Sequence, residues 1–142
     1  MERNVYRHKV QYYETDKMGI VHHSNYIRWM EEGRIDYLAQ CGLPYEKLES
    51  LGIMLPVLMT QCEHKTMARF GETVCIETEI TAYNGVRLEA AYIMRDAETG
   101  QIRAVGKSRH CFLGEDGTIL KLQRKYPELH KIFACYAEKK KK

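Results

Sequence analysis

Thr73-Val74-Cys75-Ile76-Glu77-Thr78-Glu79-Ile80-Thr81-Ala82-Tyr83-Asn84-Gly85-Val86-Arg87-Leu88-Glu89-Ala90-Ala91-Tyr92-Ile93-Met94 is the stretch that decides the fold class. Val74, Ile76, Thr78, Ile80 and Ala82 alternate with Thr73, Cys75, Glu77, Glu79 and Thr81, the two-residue period of a strand with one buried face. Asn84-Gly85 is a hairpin signal, because both residues tolerate positive φ. Val86, Leu88, Ala90, Tyr92 and Met94 form one face of the returning strand. The pattern therefore predicts antiparallel pairing.

Working outward, Thr99-Gly100 turns the chain again and Ile102 to Leu113 returns through the small residues Ala104, Gly106 and Ser108. Asp116-Gly117 closes the meander, and Tyr126 to Tyr136 is expected as a terminal helix starting near Pro127. On the other side, Ile53 to Thr66 is extended in character despite Pro56, and Tyr45 to Leu51 reads as a short helical piece. Ser24 to Gln40 is the one long helix: Tyr26, Met30, Tyr37 and Cys41 recur at helical spacing, with Ile27, Ile35 and Leu38 broadening the stripe. Ser24 is the expected N-cap, and Gly42 and Pro44 stop the helix. Val5 to Tyr13 reads as a first strand, alternating with Arg7, Lys9 and Gln11. One long helix and about four long strands make an α+β protein, in which the helix is the only large partner for the apolar sheet face.

Bulk properties narrow the class. The chain has 142 residues, 44% hydrophobic and 29% charged, which suits one folded domain over 1–138. The net charge of +3 comes from Lys139–Lys142, a basic tail expected to be disordered; without it the balance is −1, which gives no basis for a nucleic-acid partner. No apolar run is long enough for an integral membrane span, and the first residues lack a secretory pattern. Five scattered cysteines without a CxxC pair argue against a disulfide framework or zinc site and suit the cytoplasm.

The chemistry concentrates in Tyr12-Tyr13-Glu14-Thr15-Asp16-Lys17-Met18-Gly19-Ile20-Val21-His22-His23-Ser24-Asn25-Tyr26. An acid, two histidines and an amide precede a helix start, where unpaired N–H groups and the positive end of the helix dipole can polarise a carbonyl. A carboxylate folded back beside that start would supply the other half of an acyl-transfer site.

Thr15-Asp16-x-x-Gly19-Ile20-Val21-x-His23-x-Asn25-Tyr26, followed by Trp29-Met30-Glu31-x-x-Arg34, resembles the signature of the 4-hydroxybenzoyl-CoA thioesterase branch of the hotdog superfamily, in its bacterial acyl-CoA subgroup. The Arg69-Phe70-Gly71-Glu72 turn matches too. The resemblance implies a hotdog fold, a long central helix wrapped by a five-stranded antiparallel sheet. It further implies a homodimer or homotetramer with interfacial active sites, and hydrolysis of acyl-CoA to free acid and CoA without cofactor or metal. Asp16 falls on the catalytic carboxylate, either nucleophile or general base. His23 falls on the helix-terminal N–H that polarises the thioester carbonyl. Gly19, Val21, Asn25 and Tyr26 fall on supporting positions, and Tyr13 is placed near the acyl pocket. Lys17 departs from the small residue or glutamine usual in relatives. An acyl carrier protein as thioester donor and a non-catalytic acyl-CoA-binding module are the alternatives.

Plainer readings stand beside these. Asp16 could stabilise a turn, since Thr-Asp-x-x-Gly is ordinary turn chemistry. His22 and His23 are expected to diverge, with His22 exposed or at a subunit contact, and Glu31 and Arg34 to pair on the helix surface. Trp29 is expected in the core or an interface. Glu63 and His64 draw attention because another hotdog branch takes a glutamate from a different strand. Lys65, Arg69, Arg87, Arg103, Lys107 and Arg109 are the cations available to CoA phosphates.

Overall fold

A computed structural model describes residues 5–141, with side chains described for 5–138. The elements are β1 (Tyr6–Lys9), a single 3-10 turn (Tyr12–Glu14), α1 (Ser24–Gln40), α2 (Tyr45–Ser50), β2 (Val57–His64), β3 (Thr73–Tyr83), β4 (Arg87–Asp96), β5 (Ile102–Cys111), α3 (Leu122–Lys125) and α4 (Pro127–Lys141). The five strands form one antiparallel sheet in the order β1-β3-β4-β5-β2. The side chains of Lys139–Lys142, the expected basic tail, lie outside the described residues.

Alternation in β3 and β4 buries Val74, Ile76, Ile80, Leu88, Ala90, Tyr92 and Met94 on one face. Against it lies α1, whose buried stripe is Asn25, Tyr26, Trp29, Met30, Gly33, Arg34, Tyr37 and Leu38. Gly33 lets the helix approach closely: a Cβ there would lie 2.6 Å from Ile76 Cγ2. Beyond the end of α1, α4 continues the cover, with Leu129, Phe133 and Ala137 packed on Ile80, Leu88 and Phe112. The core is accordingly in two clusters, one around Trp29, Met30, Ile76 and Tyr92 and one around Leu38, Phe112 and Phe133.

Among the buried polar groups is a chain from helix to sheet. Arg34 Nη1 donates to the Tyr92 hydroxyl (3.1 Å), which lies 2.6 Å from Ser108 Oγ, itself 2.7 Å from His110 Nε2. Arginine can only donate, so the Tyr92 oxygen accepts from it, and the two hydroxyls and the imidazole beyond continue the chain. Burial, reinforced by the Arg34 charge, pushes His110 down to about 4 and keeps it neutral. Arg34 is thus interior, and the expected surface pair with the exposed Glu31 is corrected.

Other local expectations change as well. The first strand ends at Lys9 instead of Tyr13; Val10 still bonds Glu72 and Gly71, after which the chain tightens into the 3-10 turn. At the hairpin only Gly85 takes positive φ (+91°), whereas Asn84 works through its side chain, its Oδ1 accepting the N–H groups of Val86 and Arg87. The short α3 adds a turn of helix before Pro127 that no sequence pattern marks.

Candidate active site

The loop Thr15–Val21 is a closed turn. Thr15 and Val21 form an isolated bridge, Asp16 N–H donates to Ile20 O (2.9 Å), and Gly19 N–H donates to Asp16 O (2.9 Å). Gly19 takes φ +78°, a conformation open to glycine at no cost in Cβ contacts. Asp16 Oδ1 accepts the Met18 N–H at 2.8 Å, so the turn-forming role is real and it orients the carboxylate. Half-buried Asp16 lines a cavity of about 220 Å³ with Ile20, Val21, His23, Tyr26, His64, Lys65, Thr66 and Met67.

Helix α1 begins at the same cavity. His23, not Ser24, occupies the N-cap position, with helical φ and ψ and no capping by its side chain. The reason is local: Ser24 Oγ pairs with His22 Nδ1 at 2.9 Å and is not available to cap. The backbone N–H of His23 donates to no acceptor among the described residues. The expectation that His22 and His23 diverge is corrected, since their rings stack with centroids 4.2 Å apart.

Glu14, which the sequence reading passed over, organises the junction from beneath. It is 5% exposed, and its carboxylate accepts Trp29 Nε1–H (2.9 Å) and the Gln11 N–H (2.8 Å) and lies 2.8 Å from His8 Nε2. Burial pulls its carboxyl upward, but the bonds from His8, Gln11 and Trp29 outweigh that and hold it below its ordinary range. Its backbone oxygen accepts both Asn25 Nδ2 (2.9 Å) and the His22 N–H (2.8 Å). Buried Asn25 also bonds the His22 carbonyl, so it clamps the loop to the first turn of α1. The available signal was the sole tryptophan, whose indole N–H needs an acceptor when buried.

The opposite wall is the end of β2 and the segment after it. Lys65 and Thr66 N–H groups both reach Arg103 O, and Arg103 Nη1 donates to Thr66 Oγ1 at 3.1 Å. Arg103 is itself buried and paired with Asp96 (3.0 Å) and Glu72 (3.5 Å), which removes it from the cations free to meet phosphate. Buried Val21 donates its N–H to Ala68 O, tying the loop to this wall. Tyr26 is 3% exposed, its ring between Trp29 and His64, and burial raises its phenol. Glu63 faces Lys65 at 3.0 Å, both exposed, and does not line the cavity. Tyr13, placed in expectation near the pocket, is 80% exposed on the 3-10 turn and lines no part of it.

Asp16 and His23, the residue at the start of α1, thus line one partly apolar cavity. The chain also resembles known proteins. Residues 10–129 match the family model described as the thioesterase-like superfamily. The chain is 31% identical to an Aquifex aeolicus "Putative esterase", over 89% of this chain and 97% of the relative. It is 33% identical to the Bacillus subtilis "Putative acyl-CoA thioesterase YneP", over 88% and 91% of the two chains. The solved structure of a DHNA-CoA thioesterase from Staphylococcus aureus superposes with a TM-score of 0.88, at 29% identity, covering 92% of this chain and 88% of the other.

Proposed function

The chain belongs to the thioesterase-like superfamily and has its hotdog fold, and from that premise we propose that it hydrolyses acyl-CoA thioesters to a carboxylic acid and CoA. One observation carries the reading: Asp16 and His23 border the same cavity, and the His23 N–H has no acceptor among the described residues. A thioester seated there directs its carbonyl oxygen at that N–H, which stabilises the negative charge that develops on it. Asp16 either attacks the carbonyl carbon, expelling CoA thiolate and leaving a mixed anhydride for water to cleave, or removes a proton from an attacking water. Val21 and Tyr26 wall the cavity, and Asn25 and Gly19 hold the loop that presents the carboxylate.

The working unit in this proposal is a homodimer or homotetramer with interfacial sites, acting in the cytoplasm. Its support is the sheet edge: β2 pairs only with β5 among the described residues, and Val57 (51%) and Leu58 (50%) are exposed on it. Among the described residues no helix is long and apolar enough to cross a membrane.

Thiol release from CoA thioesters of graded length and aromaticity tests the activity. Turnover on at least one class supports it. Binding with no thiol released from any of them points to a non-catalytic acyl-CoA module. Faster release from loaded acyl carrier protein than from the matching CoA ester reassigns the donor.

A further inference from the structure

Two of the residues lining the cavity are themselves buried, Val21 (4% exposed) and Tyr26 (3%), and both are tied to Ala68, which has no exposed surface. Ala68 O accepts the Val21 N–H at 2.9 Å, and the Ala68 N–H reaches the phenol oxygen of Tyr26. His23, His64, Lys65 and Met67 are exposed and form the rim, so Val21 and Tyr26 mark the inner end.

Tyr26 crosses that end. It stands on α1 almost one turn beyond His23, and its hydroxyl meets the backbone of the segment that follows β2 on the opposite wall. Trp29, deeper on the same helix face and fully buried, packs against the ring with centroids 4.9 Å apart. The ring is thus held by the helix at one end, by Ala68 at the other and by Trp29 behind. A side chain fixed in a close-packed core does not yield to an entering chain without displacing its neighbours. The space in front of it is about 220 Å³, less than the ~300–1,000 Å³ of sites that enclose a drug-sized ligand. A second subunit at the rim would extend the mouth and leave this floor in place, since the floor is built within one protomer.

We propose that Tyr26 is a specificity-determining residue, the floor against which the acyl group ends, and that the site therefore takes short acyl groups and turns away long fatty ones. The inference rests on the acyl-CoA reading above. A chain longer than the space in front of the ring holds its thioester away from Asp16 and His23. In a pocket of fixed depth, one methylene changes kcat/KM by about 10- to 200-fold.

The test measures kcat/KM on butanoyl-, hexanoyl-, octanoyl- and decanoyl-CoA. The wild-type value should fall by at least about 10-fold along this series. Tyr26→Leu shortens the floor and should raise the decanoyl-to-butanoyl ratio by at least about 10-fold. Tyr26→Phe, which keeps the ring, should stay close to the wild-type ratio. Val74→Ala truncates a buried residue of the same core cluster that does not line the cavity, so it should lower stability and leave the ratio unchanged. Each ratio is taken within one protein, so a smaller folded fraction cancels. Tyr26→Val supplies the comparison should the leucine variant not fold, and 4-butylbenzoyl-CoA against benzoyl-CoA supplies the ratio should only ring esters be cleaved. A ratio unmoved by shortening Tyr26, an equal rise in Val74→Ala, or wild-type rates that hold or grow up to the longest ester would overturn the assignment. A wild-type protein that releases thiol from none of these esters or the graded panel removes the thioesterase reading, and this inference with it.

Discussion

Replacing Glu14 by alanine should be among the most costly single substitutions in this protein outside the apolar core. The side chain is 5% exposed and receives Trp29 Nε1–H and the Gln11 N–H, at 2.9 and 2.8 Å. Alanine leaves both donors without an acceptor. Each orphaned buried donor costs about 1–3 kcal/mol, and since Gln11 is exposed enough to recruit water, the sum is set at about 2–5 kcal/mol. Against a typical total of about 5–15 kcal/mol that is a large fraction. It corresponds to a fall in Tm of roughly 8–20 °C for a chain of this size. Urea titration and thermal melts of Glu14→Ala and Glu14→Gln measure it. The glutamine variant, which keeps one acceptor oxygen, should lose less. There is a pH signature too. The folded carboxyl lies below its ordinary value of 4.5, so its contribution is present above that pH and is lost as pH falls through the lowered value. Glu14→Ala should therefore show a shallower acid limb than wild type. A Glu14→Ala protein within about 0.5 kcal/mol of wild type, the range of ordinary surface changes, would refute the reasoning.

Gly33→Ala places a methyl group 2.6 Å from Ile76 Cγ2 and 3.1 Å from Thr78 Oγ1, so α1 must lift from β3. About 1–3 kcal/mol of destabilisation is expected in urea melts, and equality with wild type would mean the interface yields freely. His110 is neutral with its folded value depressed to about 4 from 6.5. The unfolded chain takes up a proton first as pH falls, so the stability it confers is complete above pH 6.5 and drains away down to pH 4, by roughly 3 kcal/mol. Denaturation of His110→Gln across that interval should show a flatter pH dependence than wild type, and an identical slope would sink the assignment.

Much of this architecture is readable in the sequence, where local and tertiary preferences agree. Ser24–Gln40 and the β3–β4 pair were legible because a long 3.6-residue or two-residue period is also the pattern that buries one face. The ends were less so. Tyr12 and Tyr13 have strand-favouring side chains, yet the Glu14 carboxylate draws back the Gln11 N–H and closes a 3-10 turn, exposing both rings. Ser24 is a good N-cap by type, but the adjacent His22 ring takes its hydroxyl. That Asp16 and His23 fall close together, as they do in lining one cavity, was legible from the motif. The Glu14 hub and the Arg34–Tyr92–Ser108–His110 chain were not, because each joins residues distant in sequence through a single polar contact that leaves no periodic trace.

The most direct measurement is acyl-CoA turnover by Asp16→Asn beside the wild-type protein, with melting curves of both. Asparagine can still accept the Met18 N–H that shapes the loop, so the fold and Tm should be kept while the thiol-release rate falls by about 10²–10⁴. Near-normal turnover by a folded Asp16→Asn protein would show that the carboxylate takes no part in breaking the thioester.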